Sequence, residues 1–269
     1  MSTSKSIEEA IQKGDAPIGV METGEVMSLS IEERKGITNL FGRPGYGKSV
    51  ALEIILLSDI FAGRGGIFID PYGDLVVELE NKLSPKDSII VFEATGKNLD
   101  ENIQKFEKDV DLDKLQKESE KFLLCKLDYR MIGQDGARDL GIYILIKYLE
   151  SLRNEKRSII IDEAHNFLND EVFQKIIDAK ENYYIFMDQT GINYRTDILE
   201  SILKNTGNLV CFNLDRPTAK IINKFNPELD TNALIALEKY EIYAKLSVQD
   251  KPFIAKAKGV FPIPYSATK

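Results

Sequence analysis

The stretch Ile37-Thr38-Asn39-Leu40-Phe41-Gly42-Arg43-Pro44-Gly45-Tyr46-Gly47-Lys48-Ser49-Val50 decides the fold. An apolar run of strand type enters a loop of the form G-x-x-x-x-G-K-S, and residues 50–61 continue as a helix-like segment. Glycines at Gly42, Gly45 and Gly47 let such a loop turn tightly and bring successive N–H groups onto phosphate oxygens with no Cβ in the way. Arg43, Pro44 and Tyr46 complete the loop. Lys48 adds a point charge for the β- and γ-phosphates, and Ser49 offers a hydroxyl to Mg²⁺. The helix that follows through Val50 contributes roughly half a positive charge at its N-terminus. Gly42 to Val50 are therefore the expected nucleotide contacts. By itself the loop implies only that a nucleoside triphosphate is bound.

Outward from this loop the pattern alternates. Short apolar runs at 37–41, 66–69, 88–92, 122–127, 158–161, 183–187 and 208–212 are separated mostly by helix-like segments, which predicts an α/β fold with a mostly parallel sheet covered by helices. Residues 1–35 read as a lead-in with a short polar helix and a candidate hairpin, and 36–260 as the main domain. Within it, 100–121 is expected to be an exposed, charged helical insertion with a thin apolar stripe. Two strand-like runs, 241–246 and 252–257, should close the sheet edge before a tail over 261–269.

A second acidic element turns binding into hydrolysis. Residues 157–161 form an apolar strand that delivers Asp162-Glu163. An Asp there can hold the water shell of Mg²⁺, and an adjacent Glu can polarise an attacking water as general base. The next strand ends in Asp188-Gln189-Thr190, and the Gln189 amide is placed to sense the γ-phosphate. Asp70-Pro71-Tyr72-Gly73 also fits the DxxG of GTPases, but the nearest guanine-reader candidate, Asn223-Lys224-Phe225-Asn226, lacks its Asp. Asp162-Glu163-Ala164-His165 spells the DEAH of two-lobed helicases, yet 269 residues leave no room for a second lobe. His165, the sole histidine, reads as a packing or surface residue.

Composition narrows the class further. With 43% hydrophobic and 29% charged residues the chain is of ordinary globular type, and no run is long and apolar enough to span a membrane. No signal peptide is visible, so a cytoplasmic placement is expected. Cys125 and Cys211 sit in apolar runs without metal-ligand spacing and read as core thiols. A net charge of −8 argues against DNA affinity spread over the whole surface, though not against DNA held inside a ring by a few loops.

Taken in order, Gly42–Ser49, the run Ile67 to Leu75 with its Asp-Pro-x-Gly-Asp-Leu element, Gly133–Gly141, Ile159–Glu163, Gln189 and Asn205–Asn208 make the chain resemble the HerA–FtsK superfamily of P-loop ATPases, closest to conjugative coupling proteins of the TraG/TraD kind in type IV secretion. The resemblance covers roughly residues 17–260 and implies a RecA-like domain of the ASCE type. It implies ATP and Mg²⁺ as cofactors, with Lys48, Glu163 and Gln189 catalytic and Ser49 and Asp162 on the metal. It also implies a homo-hexameric ring that threads DNA through its pore, with membrane-bound or substrate-recruiting partner proteins that can bring it to the membrane. A non-translocating nucleotide switch or scaffold in a secretion apparatus, and a viral-type genome-packaging ATPase, are the alternatives. The family's trans-acting arginine between the Asp-Glu and Gln strands is replaced here by Asp178-Ala179-Lys180-Glu181, which leaves Arg138, Arg195 or Arg216 as candidates. The family's membrane anchor and helical recognition domain have no counterpart in this sequence, so cargo choice is expected to lie with a partner.

Overall fold

The computed structural model describes residues 3–83, 88–153, 156–248 and 251–259, so the tail expected over 261–269 lies outside the described residues. The chain opens with α1 (Thr3–Gln12), β1 (Ala16–Val20), β2 (Val26–Leu29), β3 (Gly36–Phe41) and α2 (Lys48–Phe61). It continues through β4 (Gly66–Asp70), α3 (Asp74–Lys82), β5 (Ile89–Glu93), α4 (Leu99–Asp109), α5 (Leu112–Lys117) and β6 (Phe122–Lys126). Next come α6 (Tyr129–Ile132), α7 (Gln134–Ser151), β7 (Ser158–Asp162), α8 (Asp170–Asp178), β8 (Tyr183–Asp188), α9 (Thr196–Asn205) and β9 (Thr206–Cys211). Then α10 (Arg216–Phe225), α11 (Thr231–Ile235), β10 (Glu241–Val248) and β11 (Lys251–Gly259) follow.

These elements fall into two compact units, one from Met1–Ala62 with Tyr183–Pro264, the other from Gly63–Asn182. In the first, β3 pairs in parallel with β8 on one side and β9 on the other. Antiparallel pairs then run from β9 to β10, β10 to β11, β11 to β1 and β1 to β2. The lead-in hairpin thus extends the same sheet that carries the P-loop strand. In the second unit β4 pairs in parallel with β7 and β6, and β6 with β5. The continuous apolar runs of β4, β6 and β7 are buried along nearly their whole length, as parallel strands covered on both faces must be.

Each unit has a buried arginine that ties distant segments. In the first, Arg34 pairs with Asp59 of α2 at 3.0 Å, both side chains fully buried, and also donates to the carbonyl of Gly14. In the second, Arg157 donates to the carbonyls of Ser119 at 2.6 Å and Gln116 at 2.7 Å. The segment expected to be exposed over 100–121 is more deeply seated than its charge suggests. Phe106 of α4 is buried edge-on against Phe92 of β5 with centroids 5.2 Å apart, and Val110 and Leu115 are buried as well.

Candidate functional site

The expected site residues divide between the two units: 42–50 and Gln189 lie in the first, Asp162 and Glu163 in the second.

In the first unit the start of the P-loop is held on both sides by the chain at the ends of the strands that flank β3. Phe41 pairs with Asp188 on β8 and with Cys211 on β9, so the chain leaves three neighbouring strand ends at one level. The Gly42 N–H donates to the Asp188 carbonyl at 3.2 Å, which places the start of the loop beside Gln189. On the other side the Arg43 N–H donates to the Asn213 carbonyl at 2.8 Å, and the Phe212 N–H to the Phe41 carbonyl at 2.8 Å. Gly45 and Gly47 have φ of +79° and +108°, the left-handed backbone that turns their amides into the loop. A Cβ at Gly42 would lie 2.5 Å from that of Phe212, and one at Gly47 would lie 2.8 Å from Cδ1 of Tyr240. The cradle is therefore shaped for backbone contact.

Lys48, the first residue of α2, is buried, and its ammonium donates to the Arg43 carbonyl at 3.2 Å, spanning the loop's concavity. Ser49 is exposed at the same helix start and Val50 is half-buried. Left-handed glycines, a buried lysine across the loop and a helix N-terminus fit phosphate groups, and the exposed Ser49 hydroxyl fits a divalent ion beside them. Gln189 is half-buried at the end of β8. The adjoining Thr190 is fixed by Thr218, whose hydroxyl lies 2.7 Å from its own and whose backbone N–H is held by Asp215.

In the second unit Ile69 and Ile161 are paired, so Asp70 and Asp162 leave adjacent parallel strands. Their duties differ. Asp70 is buried and accepts from four backbone N–H groups, those of Tyr72, Gly73, Leu75 and Val76, at 2.8–3.1 Å. Burial pushes its carboxyl up against those bonds, which favour the charged form. Asp70 is thus a helix-capping device for α3, and Gly73, at φ +80°, is needed for the turn it spans.

Asp162 ends β7 and Glu163 follows it with φ +48°, a left-handed backbone uncommon for a side-chain-bearing residue, before a single turn at Ala164–Asn166. Both are almost fully buried, and Nδ1 of His165 lies 3.5 Å from Oε2 of Glu163. Tyr72 shares their surroundings. Burial, then the charges of Glu163 and Asp162, push its phenol up to about 12, so it stays protonated at neutral pH. No spacing rule in the sequence pointed to Tyr72, because strand pairing is what brings it to the acidic pair. Of the arginines weighed for the trans role, Arg138 pairs with Asp135 and Asp139 and Arg195 with Asp197, while Arg216 and Lys180 are exposed.

A profile of the AAA domain matches residues 31–193, more than half of the chain and inclusive of the P-loop, Asp162, Glu163 and Gln189. The chain belongs to the AAA-domain family. It is a P-loop NTPase with a RecA-like α/β fold, and the HerA–FtsK resemblance holds at the level of fold. VirB4 of Thermoanaerobacter pseudethanolicus superposes with a TM-score of 0.67 at 14% identity, covering 91% of this chain and 96% of that one. The bacterial conjugative coupling protein TrwBdeltaN70 gives a TM-score of 0.67 at 10% identity over 97% and 92%. The genome packaging NTPase B204 of Sulfolobus turreted icosahedral virus 2 gives 0.51 at 13% over 85% and 100%. In sequence, the DNA repair and recombination protein RadB of Methanococcus maripaludis is 36% identical over 70 residues, or 24% of this chain. The chain thus matches about a third, 32%, of the length of that curated relative. No helix among the described residues is long and apolar enough to cross a membrane.

Proposed function

We propose that this protein is an ATP-hydrolysing motor domain that assembles as a ring and translocates DNA. The observation that carries the reading is the P-loop itself. It is a left-handed glycine cradle with Lys48 buried across it, pinned between Asp188 at the end of β8 and Asn213 just beyond β9. Its support at the scale of the fold comes from VirB4 and the coupling protein TrwB. ATP is preferred to GTP in this reading because the nearest guanine-reader candidate, Asn223-Lys224-Phe225-Asn226, lacks its Asp.

In this reading the loop Gly42 to Val50 wraps the phosphates, the backbone N–H groups from Gly45 to Val50 donate to them, and Lys48 neutralises the charge that develops on them. Mg²⁺, when bound, supplies Lewis-acid stabilisation of the transferring phosphoryl group, and Ser49 and Asp162 are the residues that would hold it. Glu163 accepts the proton of the attacking water. Gln189 orients that water.

A Glu163→Gln protein is expected to keep nucleotide affinity and lose hydrolysis by about a hundredfold or more. Unchanged turnover would remove Glu163 from the role of base. Native mass with ATP, alongside ATPase rate with and without double-stranded or single-stranded DNA, tests the motor: a hexamer stimulated by DNA is expected. A second reading, a nucleotide switch or scaffold within a secretion apparatus, draws on the ion pairs that already occupy Arg138 and Arg195. It predicts a monomer whose slow turnover ignores DNA.

A further inference from the structure

The P-loop reads phosphates through its backbone and contributes nothing that distinguishes one nucleobase from another. The residue pressed against the loop at Gly47 is Tyr240. The Tyr240 N–H donates to the Tyr46 carbonyl at 3.3 Å. Its ring edge sits so close to Gly47 that an added Cβ would be 2.8 Å from Cδ1 and 3.5 Å from Cε1. Tyr240 also has φ +68°, a left-handed conformation that glycine or asparagine would adopt more cheaply. A bulky aromatic held there despite that strain is held by its surroundings, and such strain gathers at ligand-binding positions. Tyr240 is half-exposed, and the ammonium of Lys239, an exposed and flexible side chain that a base can displace, lies over its ring 4.8 Å from the centroid.

The segment 235–240 that presents this ring is fixed to the loop by one side chain. Nδ2 of Asn213 donates to the carbonyls of Ile235 at 2.9 Å and Leu237 at 2.7 Å, while the Asn213 backbone carbonyl takes the Arg43 N–H. Asn213 itself is buried. Arg43, through Asn213, and Tyr46, directly, are therefore tied to the segment that carries Tyr240, all within the first unit.

We propose that Tyr240 is the stacking platform for the base of the bound nucleotide, so that the affinity contributed by the base, as distinct from the phosphates, resides in 235–240. This rests on the nucleotide-binding reading of Gly42–Ser49. A half-exposed aromatic face within contact of the residue before Lys48 lies where the base end of a nucleotide must emerge once its phosphates fill the loop. Base-on-aromatic stacking changes affinity by about fivefold to a hundredfold.

The test is calorimetric titration of the full chain with MgATP and with inorganic tripolyphosphate, which keeps the charge and lacks the base. Tyr240→Leu preserves bulk against Gly47 and removes the π face. It is expected to weaken ATP about tenfold while changing tripolyphosphate by less than about twofold, and Tyr240→Phe should retain ATP. Equal weakening of both ligands, or undiminished ATP affinity in the Leu variant, overturns the assignment. If wild type binds tripolyphosphate in a Lys48-dependent way and Tyr240→Leu leaves ATP untouched, only the platform falls. If wild type binds neither ligand, the nucleotide reading falls and takes the platform with it. A second measurement needs only the conservative variant: the chain has no tryptophan, so tyrosine emission can be read directly. ATP but not tripolyphosphate should quench it in wild type, and Tyr240→Phe should lose part of that quenching. Equal quenching in the two proteins overturns the proposal.

Discussion

Gly47 answers to two constraints at once. Its φ of +108° excludes a comfortable Cβ, and the space that Cβ would need is taken by Tyr240 and Phe212. Gly45, at φ +79°, has the backbone constraint alone, with nothing within 4 Å of an added Cβ. Gly45→Ala should therefore cost about 1 kcal/mol of conformational strain, and Gly47→Ala that much plus the displacement of Tyr240, about 2–3 kcal/mol together. Urea unfolding of the two variants against wild type measures the difference, and equal losses would show that the Tyr240 contact yields freely. Lys48→Ala should lose tripolyphosphate binding altogether, because its ammonium is the charge that spans the loop to the Arg43 carbonyl. At this scale the loop was legible in the sequence because its chemistry is local, eight residues long and written in glycine. The left-handed backbone of Glu163 and the arrival of Tyr240 and Tyr72 were not, because each depends on residues far along the chain.

Helix ends show how much a single carboxylate can decide. Asp70 reads in sequence as part of a signature or a DxxG, and in the structure it accepts from two N–H groups of the turn before α3 and two in the first turn of α3. Asp70→Asn keeps the shape but loses acceptor capacity and charge beside a helix N-terminus. It should lower stability by about 1–3 kcal/mol in urea unfolding while leaving tripolyphosphate affinity unchanged. Asp215 caps α10 in a different setting. Partial burial raises its carboxyl, but the N–H and hydroxyl of Thr218 outweigh that and hold it below the usual carboxylate range. Because its proton binds more weakly in the folded state, the stability it contributes is present above about pH 4 and is lost as pH falls through the lower folded value. Asp215→Ala should therefore be less stable than wild type by about 1 kcal/mol at pH 7, with the gap closing below pH 4. A gap that widens in acid would reverse the assigned shift. Through Thr218 and Thr190 the same cap supports the turn after Gln189, so nucleotide turnover should weaken with it.

The architecture of the molecule was readable from period alone: each strand that bears the site begins or ends within two residues of an apolar run in the sequence, and the parallel pairing follows from helices lying between them. What periodicity does not encode is the long-range tie, because a buried arginine looks in sequence like any surface arginine. Arg34 is such a case. It stands beyond the lead-in hairpin, yet it reaches Asp59 in α2, the helix that begins with Lys48, and Gly14 at the other end of the lead-in. Taking two charges out of water costs several kcal/mol each, offset here by a 3.0 Å ion pair and further bonds to backbone carbonyls. Removing one partner strands the other. Arg34→Met should therefore destabilise the P-loop unit by about 3–5 kcal/mol, whereas Arg34→Met with Asp59→Leu should recover much of that loss, because an apolar pair of similar volume needs no solvation. Urea unfolding with and without tripolyphosphate reads both stability and the integrity of the loop. A double variant as unstable as the single one would mean that the bonds from Arg34 to the Gly14 and Ile55 carbonyls, rather than its charge, hold the lead-in against the nucleotide-binding helix.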